Sequence, residues 1–245
     1  MPCKKPTPTI ESRRARQYRF RYGFLGIEPF WVAYRVSVVL LQYTRGDSTL
    51  DTGVSGDKGL EIMSWSIKHG GMDAEEIRDY SQRYDEGYSE EHDKIEQKVH
   101  DVLDNEGRLT QDDLADVVRW KLDNQPGRRD RYIEMMRSTP DEFVQHVTEA
   151  ALLADESKVQ LQTLSSIPGI GDATATVVLA FYDPTTYAVG DRYIIDALFE
   201  QDRGFRRTDY PDLLEKLRER NPDDFDLRTV EKAYYRRYQE GNDIV

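Results

Sequence analysis

A turn of Pro168-Gly169-Ile170-Gly171, a run of small and apolar residues to Leu179, and Asp191 twelve residues further on put an anion-binding backbone and a carboxylate into one stretch of chain. Pro168 cannot continue the helix before it, because its ring removes a donor and biases Ile167 away from the helical region. Gly169 and Gly171 can take positive φ at little cost and carry no side chain to block an approaching phosphate. Ile167 and Ile170 are then free to fix the turn on the core. From Asp172 onward Ala175, Val178 and Leu179 recur at helical spacing, with Asp172 as the expected N-cap. The N–H groups at such a helix start form an anion site; an ordinary turn between two helices is the alternative, since Pro and Gly punctuate many loops. A carboxylate such as Asp191 can stabilise a developing positive charge or activate a water. Gly190-Asp191 before Tyr193-Ile194-Ile195 is equally good N-cap chemistry, and the two roles are compatible.

The stretch from Leu161 to Phe199, with its Ile167-Pro-Gly-Ile-Gly turn, its small-residue helix and the Val189-Gly-Asp-Arg-Tyr-Ile-Ile that follows, resembles the helix-hairpin-helix of the base-excision DNA glycosylase superfamily, which includes endonuclease III and the alkylated-purine glycosylases. Asp191 falls where that superfamily has its essential aspartate. The resemblance implies DNA as partner, gripped by Gly169, Ile170, Gly171 and Asp172 with help from Lys121 and Arg192 at phosphates. It also implies a base pocket with aromatic walls, for which Trp120, Tyr193 and Tyr187 are the candidates. Each aromatic can instead be a packed core residue, and each cation a solvated one. Bifunctional members carry a lysine in the second helix of the hairpin, where this chain has Ala173, so a Schiff-base lyase step through that residue is excluded. Other members hold an iron–sulfur cluster on four cysteines; with Cys3 alone, no such cluster can form. A monovalent cation at the carbonyls of the hairpin is the one cofactor the resemblance allows.

The composition constrains the partners. A chain of 245 residues with 38% hydrophobic content can bury a core as one large domain or two small lobes. No apolar run is long enough to span a bilayer, no signal-peptide pattern opens the chain, and one cysteine allows no intrachain disulfide, so a cytoplasmic protein is the expectation. The net charge of −12 runs against the basic footprint usual for DNA binding. Residues 1–22, however, carry seven Lys or Arg against one Glu, and Arg outnumbers Lys 24 to 10 beside 27 Asp. That pattern resembles proteins of salt-loving organisms. In molar salt the Debye length is about 3 Å, so backbone amides and close hydrogen bonds hold a phosphate better than a diffuse basic patch.

The elements that must position these residues read as helices. Residues 1–60 form a basic arm with Tyr18, Phe20 and Tyr22, an apolar stretch over 30–43 and a Gly- and Asp-rich run over 46–59. The arm can lie on nucleic acid or be a tether. Over 61–245 the pattern predicts helices at 73–86, 89–105, 111–122, 140–154, 156–166, 173–182, 191–199, 211–220 and 227–239. Thr110 and Asp113 have capping-box spacing, and Pro140 stands at a first helical position. The Pro-Gly-rich segment carrying Arg128, Arg129 and Arg131 reads as a loop that contacts a nucleic-acid backbone or pairs with neighbouring acids. His69, His92, His100 and His146 have no metal-ligand spacing and read as surface or capping residues, so no metal site is expected. The fold expected is mainly α: a multi-helix, glycosylase-like domain behind an N-terminal extension. Its expected function is monofunctional excision of a damaged purine, with Asp191 catalytic. The alternatives are a helix-hairpin-helix protein that binds nucleic acid without chemistry, and a protein-interaction domain.

Overall fold

A computed structural model of the chain describes residues 71–244. The basic arm, the 30–43 apolar stretch and the boundary placed at residue 60 lie outside them. Within the described residues every regular element is helical: α1 (Ala74–Glu86), α2 (Glu90–Glu106), α3 (Gln111–Lys121), α4 (Pro126–Arg137), α5 (Asp141–Leu153), α6 (Ser157–Leu164), α7 (Asp172–Tyr182), α8 (Arg192–Phe199), α9 (Tyr210–Glu219) and α10 (Leu227–Gly241), with a short 3-10 turn at Arg207–Asp209. The mainly α expectation holds there. None of these helices is long and apolar enough to cross a membrane.

Local chemistry sets many of the ends. Asp73 accepts from the Glu75 and Glu76 amides at 2.9 Å, and Glu76 returns a bond to the Asp73 amide, closing a capping box. Thr110 and Asp113 close another at the start of α3, as their spacing predicts. Gly107, at φ 67°, stops α2 and returns its N–H to the Leu103 carbonyl. Three expectations need correction. The segment with Arg128, Arg129 and Arg131 is not a loop: it lies inside α4, where Pro126 starts a helix rather than a turn and buried Ile133 and Met136 hold it down. Pro140 is the N-cap of α5 and not its first residue. Gly171, not Asp172, caps α7, and Asp172 is the first helical residue.

The core is built around α7. Its residues 174–181 are buried without interruption, so it is covered on all sides and packs against α2, α3 and α6. α10 packs on α1, α8 and α9. Polar groups on these buried helices are matched to partners, as a low dielectric demands. His100 on α2 donates from Nδ1 to the Phe181 carbonyl at 2.7 Å, tying α2 to the end of α7.

The segment leading into α8 is held residue by residue. The Tyr210 hydroxyl donates to the Ala188 carbonyl at 2.8 Å, the Val189 N–H donates to Glu231 at 3.4 Å, and the Gly190 N–H donates to the Thr176 hydroxyl at 2.8 Å. Gly190 also lies flat against Phe205: a Cβ there would come within 2.6 Å of the ring. These contacts, from α7, α9 and α10, fix where Asp191 emerges.

Candidate functional site

Asp191 stands in extended backbone at the start of α8 and is its N-cap. Its Oδ1 accepts from the Tyr193 and Ile194 amides at 2.9 and 3.1 Å, while Oδ2 accepts from Lys121 Nζ at 3.1 Å. Lys121 is the last residue of α3, seventy positions away in sequence, so the pair exists only because the fold brings the end of α3 to the start of α8. Both side chains are largely covered, at 13% exposure for Lys121 and 18% for Asp191.

This pair lines a cleft of about 930 Å³ that is also lined by the 165–171 turn and the first residues of α7. Gly169, Ile170, Gly171 and Asp172 all reach it. Gly169 has φ +87°, and a Cβ there would strike the Tyr132 carbonyl of α4. This glycine is therefore required by the close seating of the turn on α4. Among the described residues nothing lies within 4 Å of a would-be Cβ at Gly171, and no side chain caps the amides that follow it. The first N–H groups of α7 are left as open donors. Asp172 brings a negative charge to the same helix end, but its Oδ1 is engaged by the Ser165 hydroxyl at 2.8 Å and by Arg207 at 3.0 Å. Arg192 is exposed at the mouth, paired with Asp202 at 2.7 Å.

The aromatic residues divide differently from expectation. Trp120 lines the cleft but is 5% exposed: His92 stacks on it at 4.4 Å, Phe181 meets it edge-on at 5.0 Å, and the Arg228 guanidinium lies 5.2 Å from its centroid. It contributes an edge to the site, not a free face for stacking. Tyr193 lines the cleft with its ring near Tyr235 and Tyr238, at 5.9 Å from each. Tyr187 is buried in the core and is not among the residues lining the cleft. The walls that keep partly exposed rings there are Tyr88, Tyr132, Tyr193, Phe205 and Tyr235.

His92 is a buried member of the wall, not a surface residue. It is sandwiched between Tyr88 and Trp120, each 4.4 Å from its centroid. Its Nε2 lies 3.2 Å from the Trp120 carbonyl, which can only accept, so the neutral ring carries its proton on Nε2. Burial holds its pKa below the ordinary histidine value. The unfolded chain therefore takes up this proton first. The stability due to neutral His92 is complete above pH 6.5 and is lost as pH falls from there through the lowered folded value. Denaturation midpoints across this window are expected to fall with pH in the wild type, and to flatten in His92→Phe, which keeps the stack without the titration.

Beneath the wall is a charge cluster that the sequence reading missed. Arg228 of α10, 4% exposed, donates to Glu231 one turn on, to Glu96 of α2 at 3.3 Å and to the Tyr84 hydroxyl at 3.3 Å. Burial works against its charge, but Glu231 and Glu96 keep the guanidinium protonated, well above its usual range. Burial also works against Glu96, yet Arg228 and Lys232 hold that carboxyl below its usual range. Burial, and next the nearby Asp191 carboxylate, push the Tyr235 phenol up. Glu231 itself reaches the cleft and accepts from the N–H of Val189, two residues before Asp191 in sequence. The available signal was positional: Arg228, Glu231 and Tyr235 share one face of α10 at i, i+3 and i+7, directly beside the buried stripe of Leu227, Val230 and Tyr234. Among the described residues no three His, Cys, Asp or Glu gather as a metal site.

Comparison of the chain with protein-family models, with curated proteins and with solved structures gave no match.

Proposed function

We propose that the chain is a monofunctional, DNA glycosylase-like enzyme that excises a damaged purine and leaves an abasic site. One observation carries the reading: the Asp191 carboxylate and the uncapped amino end of α7 line the same cleft. A phosphate bound at the open N–H groups after Gly171 would place the neighbouring sugar toward Asp191. The target base, out of the duplex, would enter among Tyr88, Tyr193 and Tyr235 with the edge of Trp120 beneath. Departure of the base builds positive charge on the sugar, which Asp191 is placed to stabilise electrostatically or through an activated water. Its Oδ1 is fixed by two amides, so the carboxylate is held in place before the reaction begins. Lys121 neutralises it in the free protein, and an incoming phosphate would draw that ammonium away and uncover Oδ2. Arg128, exposed at the rim beside Tyr132, adds a further phosphate contact. With Ala173 where bifunctional members have lysine, the chemistry ends at base loss. A monovalent cation at the 165–171 carbonyls would steady the turn, and no step of the reaction needs it.

One observation favours a second reading. Both Asp191 oxygens already have partners, the cap and Lys121, as they would in a protein that binds nucleic acid without chemistry. Duplexes carrying single alkylated, oxidised or deaminated purines separate the two. The first reading expects alkali-labile abasic product from at least one lesion, and binding with no product from any lesion establishes the second.

A further inference from the structure

A second groove, of about 520 Å³, lies on another flank of α4. Arg128, Tyr132 and Met135 of that helix line the main cleft, whereas Arg129, buried Ile133 and Arg137, spaced four residues apart, line the groove, and Arg119 joins them from α3. Three guanidiniums thus meet there against two carboxylates, Asp130 and Glu134, in a chain of net charge −12. Among the described residues, their acid partners take one nitrogen each. Asp116 meets Arg119 Nη1 at 2.5 Å, Asp130 meets Arg129 Nε at 3.1 Å, and Asp112 meets Arg137 Nη2 at 3.1 Å. Asp130 and Asp112 are 68% and 84% exposed, so water competes for both and these two pairs hold weakly. A guanidinium spreads five N–H donors over three nitrogens, so each arginine keeps two nitrogens for a further acceptor.

We propose that this groove is a second phosphate-binding surface for nucleic acid, engaging the backbone beyond the phosphate held at α7, whatever the base sequence or lesion. The inference rests on the reading of the main cleft as a nucleic-acid site and extends the footprint across α4. Position supports it. The turn before α7 is seated on α4, Gly169 against the Tyr132 carbonyl, so a backbone gripped at the start of α7 lies beside this helix. An α-helix is about 10–12 Å across and a duplex carries one charge per about 1.7 Å of its axis, so roughly six charges, counted over both strands, span the width of α4. The planar fork of arginine takes two phosphate oxygens at once, a stronger contact than the single bonds now made to Asp130 and Asp112, which can turn to water. Glu134 opposes the phosphate, but it is exposed, and salt screens its repulsion. An acidic peptide can pair with the same guanidiniums; only a nucleic acid fills both this groove and the site at α7.

The test titrates the full-length protein with an undamaged duplex at salt concentrations from about 0.05 to 0.2 M, so it is separate from excision. Each phosphate neutralised adds about −0.9 to the slope of log K against log salt. Arg119→Gln, Arg129→Gln and Arg137→Gln combined are expected to make the slope shallower by about 2–3 and to weaken binding by about tenfold or more at the lowest salt. Arg129→Gln alone should make it shallower by about 1, which keeps the test decisive if the triple variant does not fold. Arg78→Gln on α1 removes an equally exposed, ion-paired arginine from outside the groove and should leave the slope at the wild-type value. An unchanged slope in the groove variants, or the same change per charge in Arg78→Gln, would overturn the inference. A loss of affinity for polyglutamate with none for the duplex would overturn it too and assign the groove to an acidic peptide. No binding of the duplex by the wild type would overturn the inference and the nucleic-acid reading together. A lesion panel without product would sink the enzymatic reading while leaving the measured slopes intact.

Discussion

Asp191→Asn is expected to lower excision by about 100-fold or more while the protein stays folded. The separation follows from how the two oxygens are used. Oδ1 caps α8 through the Tyr193 and Ile194 amides, and an asparagine oxygen can accept those same bonds, so the start of α8 survives the change. Among the described residues Oδ2 meets only Lys121, and leaving that largely covered ammonium without its carboxylate should cost about 1–3 kcal/mol, eased where the long lysine stem lets the ammonium turn to solvent. What the amide cannot supply is a negative charge beside the sugar as the base departs. Single-turnover excision on the most active lesion, set beside urea denaturation of the same variant, gives both quantities. Wild-type rates in a normally folded Asp191→Asn would remove Asp191 from the chemistry and leave it a cap.

The sequence was most legible where local chemistry decides the structure. Thr110 with Asp113 announces a helix start by spacing alone, because it satisfies backbone groups within a few residues. Pro168 and the two glycines likewise mark the turn before α7. α4 was illegible for the opposite reason. Its Pro-Gly-Arg-Arg start looks like a loop, and it is kept helical by contacts from elsewhere, the burial of Ile133 and Met136 and the seating of Gly169 against Tyr132. The candidate site shows the same division. Asp191 and the turn stand close in sequence and could be read together, whereas the Lys121–Asp191 pair and the Arg228–Glu96 pair join residues 70 and 132 positions apart. Such pairs depend on which helices pack, and hydrophobic periodicity does not specify that. Trp120 was visible as an aromatic near a helix end, but nothing in its neighbourhood in sequence shows that His92, from another helix, covers its face. α10 concealed most, since alternating charged and aromatic residues normally mark a solvated face. Here Arg228 and Glu231 satisfy each other one turn apart and can both be buried.

Gly169 and Gly171 are expected to respond to substitution in opposite ways. Gly169→Ala should cost about 3 kcal/mol of stability: about 1–2 kcal/mol for an L-residue held at φ +87°, and the remainder for a Cβ pressed on the Tyr132 carbonyl. That obstacle is backbone inside α4, so no side-chain rotation relieves it, and the turn or the helix has to shift. Gly171→Ser meets neither difficulty. Its φ of −87° and ψ of 169° suit any residue, a Cβ there finds no atom of the described residues within 4 Å, and a serine oxygen can cap the open amides of α7. Stability should therefore hold or rise by a few tenths of a kcal/mol. The same hydroxyl would occupy the donors proposed for a phosphate, so affinity for duplex DNA should fall by about tenfold in a protein that is no less stable. Denaturation curves and DNA titrations on both variants give the four values. Unchanged DNA affinity in Gly171→Ser would place the phosphate contact away from the start of α7, because the one alteration made there is to the approach of a ligand and not to the packing that holds the turn.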